Sequence, residues 1–251
     1  MSKSRQLALF AAWLTFIVGV CTALNATVGT TLAQAPLAGG ALPPEVGGSA
    51  AGSSSSDGTQ PPTTSTVTVS EFAPYRPGVP VHIDISVPSS HYPDGVHSDV
   101  TSNGLKEDGS IFVPDDPKTV SWANQDAAPG SNRGTIILTS HVNFVIGGET
   151  VIGAFADLNE YARNAIGKIV TLTLKDGRKL RYRIVAGREY NKEQLSTSPG
   201  LRAELYNQVD GFGPAGKPKT SRLLLVSCGG AFDNATGEYE DNVFLYALPV
   251  S

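Results

Sequence analysis

Val81, Ile83, Ile85 and Val87 alternate with His82, Asp84 and Ser86, and a period of two predicts a half-buried strand. Ile111–Val113 reads as a short second strand, ended by Pro114 and Pro117. Thr135 to Thr139 is a continuous β-prone run between Gly134 and Ser140. The period then changes: over residues 154–163, Phe155, Leu158, Tyr161 and Ala162 recur at helical spacing, with Asp157 and Glu160 between them. Ile169–Leu174 and Lys179–Val185 flank Lys175-Asp176-Gly177-Arg178, and Asp-Gly at the centre tolerates the positive φ of a tight hairpin. Arg222–Cys228 contains Leu223-Leu224-Leu225-Val226, apolar on both faces as in a central strand. Asn242–Leu248 is the last strand. About seven strands and one clear helix, without regular βαβ alternation, predict a mainly β fold closed or nearly closed into a barrel.

The first 70 residues follow neither period. Lys3 and Arg5 precede an apolar run, Leu7 to Leu24, broken by Thr15 and Thr22. As a helix those residues span about 27 Å, close to the ~30 Å hydrocarbon core of a bilayer. The positive flank stays inside, so the remainder faces out. Residues 1–24 are therefore expected to anchor the chain in a cytoplasmic membrane by a single pass. The rival is a signal segment cleaved at Ala33-Gln34-Ala35, which would leave the protein secreted. Residues 25–70 are rich in Ala, Gly, Pro, Ser and Thr, a composition that buries too little apolar surface to offset chain entropy. They read as a disordered tether with a mean reach of about 40 Å. Residues 71–251 are the expected folded domain, with regular structure from near Pro80.

Of the 251 residues, 40% are hydrophobic and 17% charged, enough apolar content for a packed core. The formal charge of −4 gives no basic surplus and argues against a nucleic-acid partner. The two cysteines are Cys21, inside the apolar run, and Cys228. With Cys21 in lipid, a disulfide between them is not expected. Cys228 is then a lone thiol in an exported protein, a liability unless it is buried or used.

Two segments carry candidate chemistry. In Ile137-Leu138-Thr139-Ser140-His141-Val142-Asn143, a β-prone run ends at a polar pair and a histidine. In Leu223-Leu224-Leu225-Val226-Ser227-Cys228-Gly229-Gly230, a buried strand delivers Cys228 to its last position, and the glycines permit close backbone approach. A thiol with an unperturbed pKa near 8.5 is mostly protonated at neutral pH, and a neighbouring imidazole can take its proton and return it to a leaving amine. The plainer readings are a small buried core cysteine and a structural histidine at a strand end.

These segments resemble the sortases, and most of all their actinobacterial class E/F branch. In that family a strand ending in Thr/Ser/Gly-His-Val-Asn/Asp gives the histidine, and a later one ending in Leu-x-Thr/Ser-Cys gives the nucleophile. Here they stand as Ser140-His141-Val142-Asn143 and Leu225-Val226-Ser227-Cys228. Asp108-Gly109-Ser110-Ile111-Phe112-Val113-Pro114, Pro129-Gly130…Gly134, Cys228-Gly229-Gly230-Ala231-Phe232-Asp233 and Tyr239-Glu240-Asp241-Asn242-Val243 extend the similarity over roughly residues 80–248. The resemblance implies a closed eight-stranded barrel with one or two short helices. It implies a cysteine transpeptidase that cleaves an LPXTG-like sorting signal through a Cys228 thioester, with His141 as acid/base. The acceptor would be an amine of a cell-wall precursor or a pilin, and neither cofactor nor metal is required. Ser227, Asn143 and Gly229 are the expected substrate contacts.

One departure matters. Sortases carry an arginine after the cysteine that stabilises the developing oxyanion, but here no Arg or Lys follows Cys228. Its place falls at or near Asn242, at the entrance to the final strand, and Arg188 is a candidate from elsewhere. The departure keeps a non-catalytic sortase-like binding domain as an alternative. An L,D-transpeptidase-like wall enzyme is another, although its His and Cys lie close in sequence whereas these are 87 positions apart. Of the rest, His91, Asp94, His97 and Asp99 fit no known metal-ligand spacing and read as a solvated loop. His82 is expected to face solvent and Trp122 to pack over the barrel.

Overall fold

The computed structural model describes residues 75–104, 106, 111–213 and 219–250. The proposed anchor, the tether, Cys21 and Asp108-Gly109-Ser110 lie outside them. Ten strands are described: β1 Pro80–Ile85, β2 Val96–Asn103, β3 Val120–Ala123, β4 Thr135–Thr139, β5 Asn143–Ile146, β6 Glu149–Ile152, β7 Ile169–Leu174, β8 Lys179–Asn191, β9 Arg222–Asp233 and β10 Glu238–Pro249. Three short helices join them, α1 Leu158–Asn164, α2 Lys192–Thr197 and α3 Pro199–Leu205. Eight strands close a barrel in the order β1-β2-β3-β4-β9-β10-β8-β7, while β5 and β6 pair apart from it. β2 with β3 and β4 with β9 run parallel; the other barrel pairs are antiparallel. The expected eight-stranded closed barrel is the fold found.

Alternation assigns two faces. One buried cluster draws on every barrel strand, including Ile83, Val96, Trp122, Leu138, Leu172, Tyr182, Leu225 and Val243, and is therefore the barrel interior. Phe155, Leu158 and Tyr161 join it from α1 and the residues before it. The intervening residues of β4, β9 and β10 (Ile137, Leu224, Val226 and Phe244) point outward and cluster with Leu195 of α2 and Leu205 of α3. β4 is thus buried at all five positions.

Several elements depart from the sequence expectation. Ile111–Val113 is not a strand; Ile111 makes an isolated bridge, and the segment runs on as a loop. β2 replaces part of the expected solvated loop. Its Val96, Ser98 and Val100 face inward, and a serine in an apolar slot hides the period. Ser98 is satisfied there by the Lys118 carbonyl at 2.5 Å. β9 continues to Asp233, so Cys228 is internal to its strand rather than last, and Asn242 lies well inside β10. Gly230 makes this extension possible, because it has φ 76° and a Cβ there would strike the Asp241 carboxylate. The stretch before β9 holds α2 and α3; the Asn191 side chain caps α2 by accepting from Glu193 N–H at 2.9 Å.

The loop before β2 is stapled to α1. Asp157, 5% exposed at its side chain, accepts from His91 N–H and pairs with His91 Nδ1, both at 2.6 Å. Ser89 Oγ lies 2.8 Å from Tyr161 Oη, which donates to the Val87 carbonyl at 3.0 Å. Burial alone would raise the Asp157 carboxyl, but hydrogen bonds from His91 and Ser89 outweigh it and hold it below the usual range. A depressed carboxylate contributes stability above its unfolded pKa of ~3.9, and that contribution fades as pH falls through the folded value. Asp157→Ala is therefore expected to destabilise the fold at neutral pH, by about 1 kcal/mol, because the two His91 hydrogen bonds that hold the loop to α1 are lost. In urea titrations at pH 7 and pH 3 the difference from wild type should shrink at the acid end. An undiminished difference at pH 3 would show that the carboxylate charge is not what holds the loop.

Candidate active site

The parallel pairing of β4 with β9 brings the two candidate segments together. Thr139 is the partner of Val226, and Ser140 N–H still reaches the Val226 carbonyl at 3.4 Å. His141 follows two residues past Thr139, just beyond the end of β4, and Cys228 two residues past Val226, within β9. On the other side of β9, Cys228 is the direct partner of Asn242, which in turn pairs with Tyr190 of β8. Cys228, Asn242 and Tyr190 therefore form a row across three neighbouring strands, and His141 follows the end of the fourth, β4. Cys228 and Asn242 share the outward face of Val226 and Phe244, because direct antiparallel partners and i, i+2 neighbours share a face.

The His141 end is held by the loop that the sequence pattern read as a strand. Thr139 Oγ1 donates to the Phe112 carbonyl at 2.9 Å, Ser140 Oγ to the Thr119 carbonyl at 2.8 Å, and His141 Nε2 lies 2.8 Å from the Pro114 carbonyl. Three successive residues thus fasten one strap. A carbonyl only accepts, so Nε2 carries the proton of the neutral ring and Nδ1 is left as the basic nitrogen. His141 is 2% exposed, and the Phe144 ring tilts against it at 4.9 Å between centroids. Burial lowers its pKa below the ordinary value, more strongly than the Pro114 hydrogen bond and the nearby Asp115 charge raise it; Lys106 adds to the lowering. Its carbonyl accepts from Phe155 N–H at 3.1 Å. Gly153 passes so close that a Cβ there would strike the His141 carbonyl and side chain. A glycine just ahead of a helix was the only sequence signal for this contact.

Asn242 is 1% exposed, and neither its Nδ2 nor its Oδ1 has a hydrogen-bond partner among the described residues. Asn143 donates to Tyr239 Oη at 3.0 Å, tying β5 to β10, while its Oδ1 is buried without a partner among the described residues. Ser227 is the direct partner of Val243, an interior residue, and so sits on the other face from Cys228. Its Oγ donates to the Cys228 carbonyl at 3.0 Å. Gly229 packs where a Cβ would strike Val243. The register thus pairs Cys228 with Asn242 and puts His141 just past the end of the neighbouring strand, while Ser227 faces the other side of β9.

The arginines take other positions. Arg188 is paired with Phe244, diagonal to Cys228 across two strand spacings, about 12 Å between Cα atoms at standard sheet dimensions. Arg222 is six residues back along β9, its guanidinium 4.2 Å from the Phe212 ring centroid and its Nε donating to Thr135 Oγ1 at 3.0 Å. Arg202 donates to the Leu195 and Ser196 carbonyls and fastens α3 to α2. Cys228 itself is disulfide-bonded here, against the expectation of a lone thiol, and its partner is outside the described residues. Any nucleophilic role belongs to the reduced protein. Among the described residues no helix is long and apolar enough to cross a membrane.

No curated protein matches the chain. Solved structures that resemble it include a lid mutant of sortase A from Corynebacterium diphtheriae, at 14% identity and TM-score 0.44 over 70% of this chain and 72% of that one. A sortase from Actinomyces oris aligns at 12% identity and TM-score 0.44 over 72% and 83%. Sortase E1 from Streptomyces coelicolor, solved with a tripeptide in its active site, aligns at 13% identity and TM-score 0.42 over 69% and 89%. The sortase domain family model matches residues 85–250, most of the chain and all but the first strand of the barrel, and the chain belongs to that family.

Proposed function

We propose that the chain is a cysteine transpeptidase of class E/F type, acting on an LPXTG-like sorting signal through a thioester on Cys228. The observation that supports this is the β4–β9 register: His141 follows two residues past Thr139 at the end of β4, and Cys228 stands two residues past Val226, the Thr139 partner, within β9. The reduced Cys228 sulfur attacks the Thr carbonyl of the Thr–Gly bond as His141 Nδ1 takes its proton. The S–C bond forms, the C–N bond breaks, and His141 returns the proton to the departing Gly amine. An amine of a cell-wall precursor or pilin then displaces the thiolate. Residues 1–24 would hold the enzyme in the membrane and 25–70 would space the catalytic domain, 71–251, from its outer surface.

Asn242 is assigned the oxyanion or substrate-backbone contact that an arginine supplies elsewhere in the family. It stands opposite Cys228 with both amide atoms unpartnered among the described residues, and substrate would give them partners. An amide lacks the charge, so the reaction is expected to be slow. The absent charge also motivates the alternative of a peptide-binding domain without turnover.

Incubating the reduced full-length chain with LPXTG- and LAXTG-type peptides should give an acyl adduct on Cys228, seen by intact mass spectrometry. Cys228→Ala should abolish the adduct, and His141→Ala should remove its formation on the assay timescale. Peptide binding without an adduct in folded, reduced protein would favour the non-catalytic reading. Because the His141 pKa is lowered, the neutral base persists into mild acid. The acid limb of kcat/KM is expected below the ordinary imidazole value of ~6.5; a limb above it would assign the base elsewhere.

Asn242→Val is expected to separate stability from activity. Removing an unpartnered buried amide should leave the thermal midpoint unchanged or raised, while kcat/KM falls by about 10²–10³ if the amide acts as an oxyanion donor. Unchanged kcat/KM would make Asn242 a plain strand residue. Gly153→Ala should lower kcat with little change in KM, because it displaces the His141 backbone; wild-type kcat in this variant would show that the contact does not position the base.

A further inference from the structure

The wall of the barrel opposite β9 carries a separate cluster. β1 stands four strands from β9 in the closed order. On it, His82 is the direct partner of Asp99 and Asp84 of His97. Ile83 and Ile85 face the interior, so these four side chains form a two-by-two array on the outer surface. The β7 residues beside them, Thr173 and Thr171, are small and uncharged. The sequence spacing hides this array, because its members come from two segments joined only by strand pairing.

The hydrogen-bond inventory leaves the array short of positive charge. His97 places Nδ1 2.7 Å from Asp84 Oδ1 and Nε2 3.2 Å from the Asp94 carbonyl. His82 places Nδ1 3.1 Å from Asp99 Oδ1 and Nε2 3.4 Å from Asp84 Oδ1. All four ring nitrogens thus face oxygen acceptors. A neutral imidazole donates only once, and its other nitrogen presents a lone pair. The arrangement is satisfied by an extra proton on each ring, or by one divalent cation at the centre.

The geometry suits the cation. One ligand atom each from His82, Asp84 and His97 lies within 4.8 Å of the others, a span that closes onto an ion with metal–ligand bonds of about 2.0–2.2 Å after small side-chain shifts. Metal-bound histidines characteristically donate their remote N–H to a carboxylate or a backbone carbonyl. Asp99 stands in that place for His82, and the Asp94 carbonyl for His97. We propose that His82 Nε2, His97 Nδ1 and the Asp84 carboxylate bind a zinc-type divalent transition ion, with Asp99 orienting His82 and water completing the shell. Two imidazoles favour such an ion over calcium or magnesium. It ties the first barrel strand to its neighbour and is independent of Cys228 chemistry.

The test uses the full-length chain carrying Cys228→Ala, so that no metal site forms at that thiol, stripped with EDTA and dialysed. Calorimetric titration with zinc chloride should give one saturable site, and calcium chloride should give none there. His97→Ala and Asp84→Asn should abolish it. Asp99→Asn should weaken it by about 10–100-fold, and His91→Ala should leave it unchanged. Circular dichroism confirms that each variant is folded, and Co²⁺ absorption reports tetrahedral nitrogen and oxygen ligation. Absence of saturable zinc binding would overturn the proposal, as would zinc binding that survives both His97→Ala and Asp84→Asn or calcium binding of equal strength.

Discussion

The structure depends on the parallel pairing of β4 with β9. Side chains in a sheet repeat with a period of two, so a one-residue slip would exchange the inward and outward sets of a strand. Here both sets are apolar, but they belong to different clusters. Ile136, Leu138, Leu223 and Leu225 fill the barrel, whereas Ile137, Leu224 and Val226 meet α2 and α3. Both packings must fit at once, which specifies the register from two sides. The point at which the chain leaves β4 toward His141 and the position of Cys228 in β9 are therefore both set by the core, and β10 extends the same constraint to Asn242.

The strap adds what strand pairing cannot. Beyond Thr139 the β4 ladder ends, and Thr139, Ser140 and His141 turn to the Phe112, Thr119 and Pro114 carbonyls. These bonds fix the histidine tautomer and exclude water from the ring. Exclusion of water disfavours the imidazolium, and the single carbonyl contact to Nε2 does not offset it, since the net shift is downward.

The barrel was legible because its central strands announce themselves. Leu223–Val226 is apolar on both faces, Asp176-Gly177 marks a hairpin, with φ 84° at the glycine, and Ile83 and Ile85 alternate with polar residues. The candidate pair His141 and Cys228 rests on the sortase resemblance, since the polar residues that end those runs also fit a structural histidine and a buried cysteine. What stayed hidden was hidden for physical reasons. β2 carries Ser98 in an inward slot, and β3 has only four residues. The β9 extension rests on a bulge between Tyr239 and Asp241, where two glycines look like a strand stop. The strap resembles a strand in composition because its apolar residues cover β4, yet its hydrogen bonds go to side chains. The His82–Asp84–His97 array lay in two segments whose relation exists only after pairing.

Asn242 shows why such a frame suits chemistry. A buried amide with both polar atoms unpaired costs about 1–3 kcal/mol per group, a large share of the ~5–15 kcal/mol that separates folded from unfolded domains. An isolated strand would rotate or slip to hydrate it. β10 cannot, because Val243, Leu245 and Ala247 are committed to the interior and Phe244 to the outer cluster. The surrounding core therefore holds in place a group that the folded chain alone leaves unsatisfied. Functional sites are where such local inconsistency persists, and this one lies directly opposite Cys228. An arginine there would carry charge at the cost of burying it. An amide at this position avoids that desolvation and brings no charge.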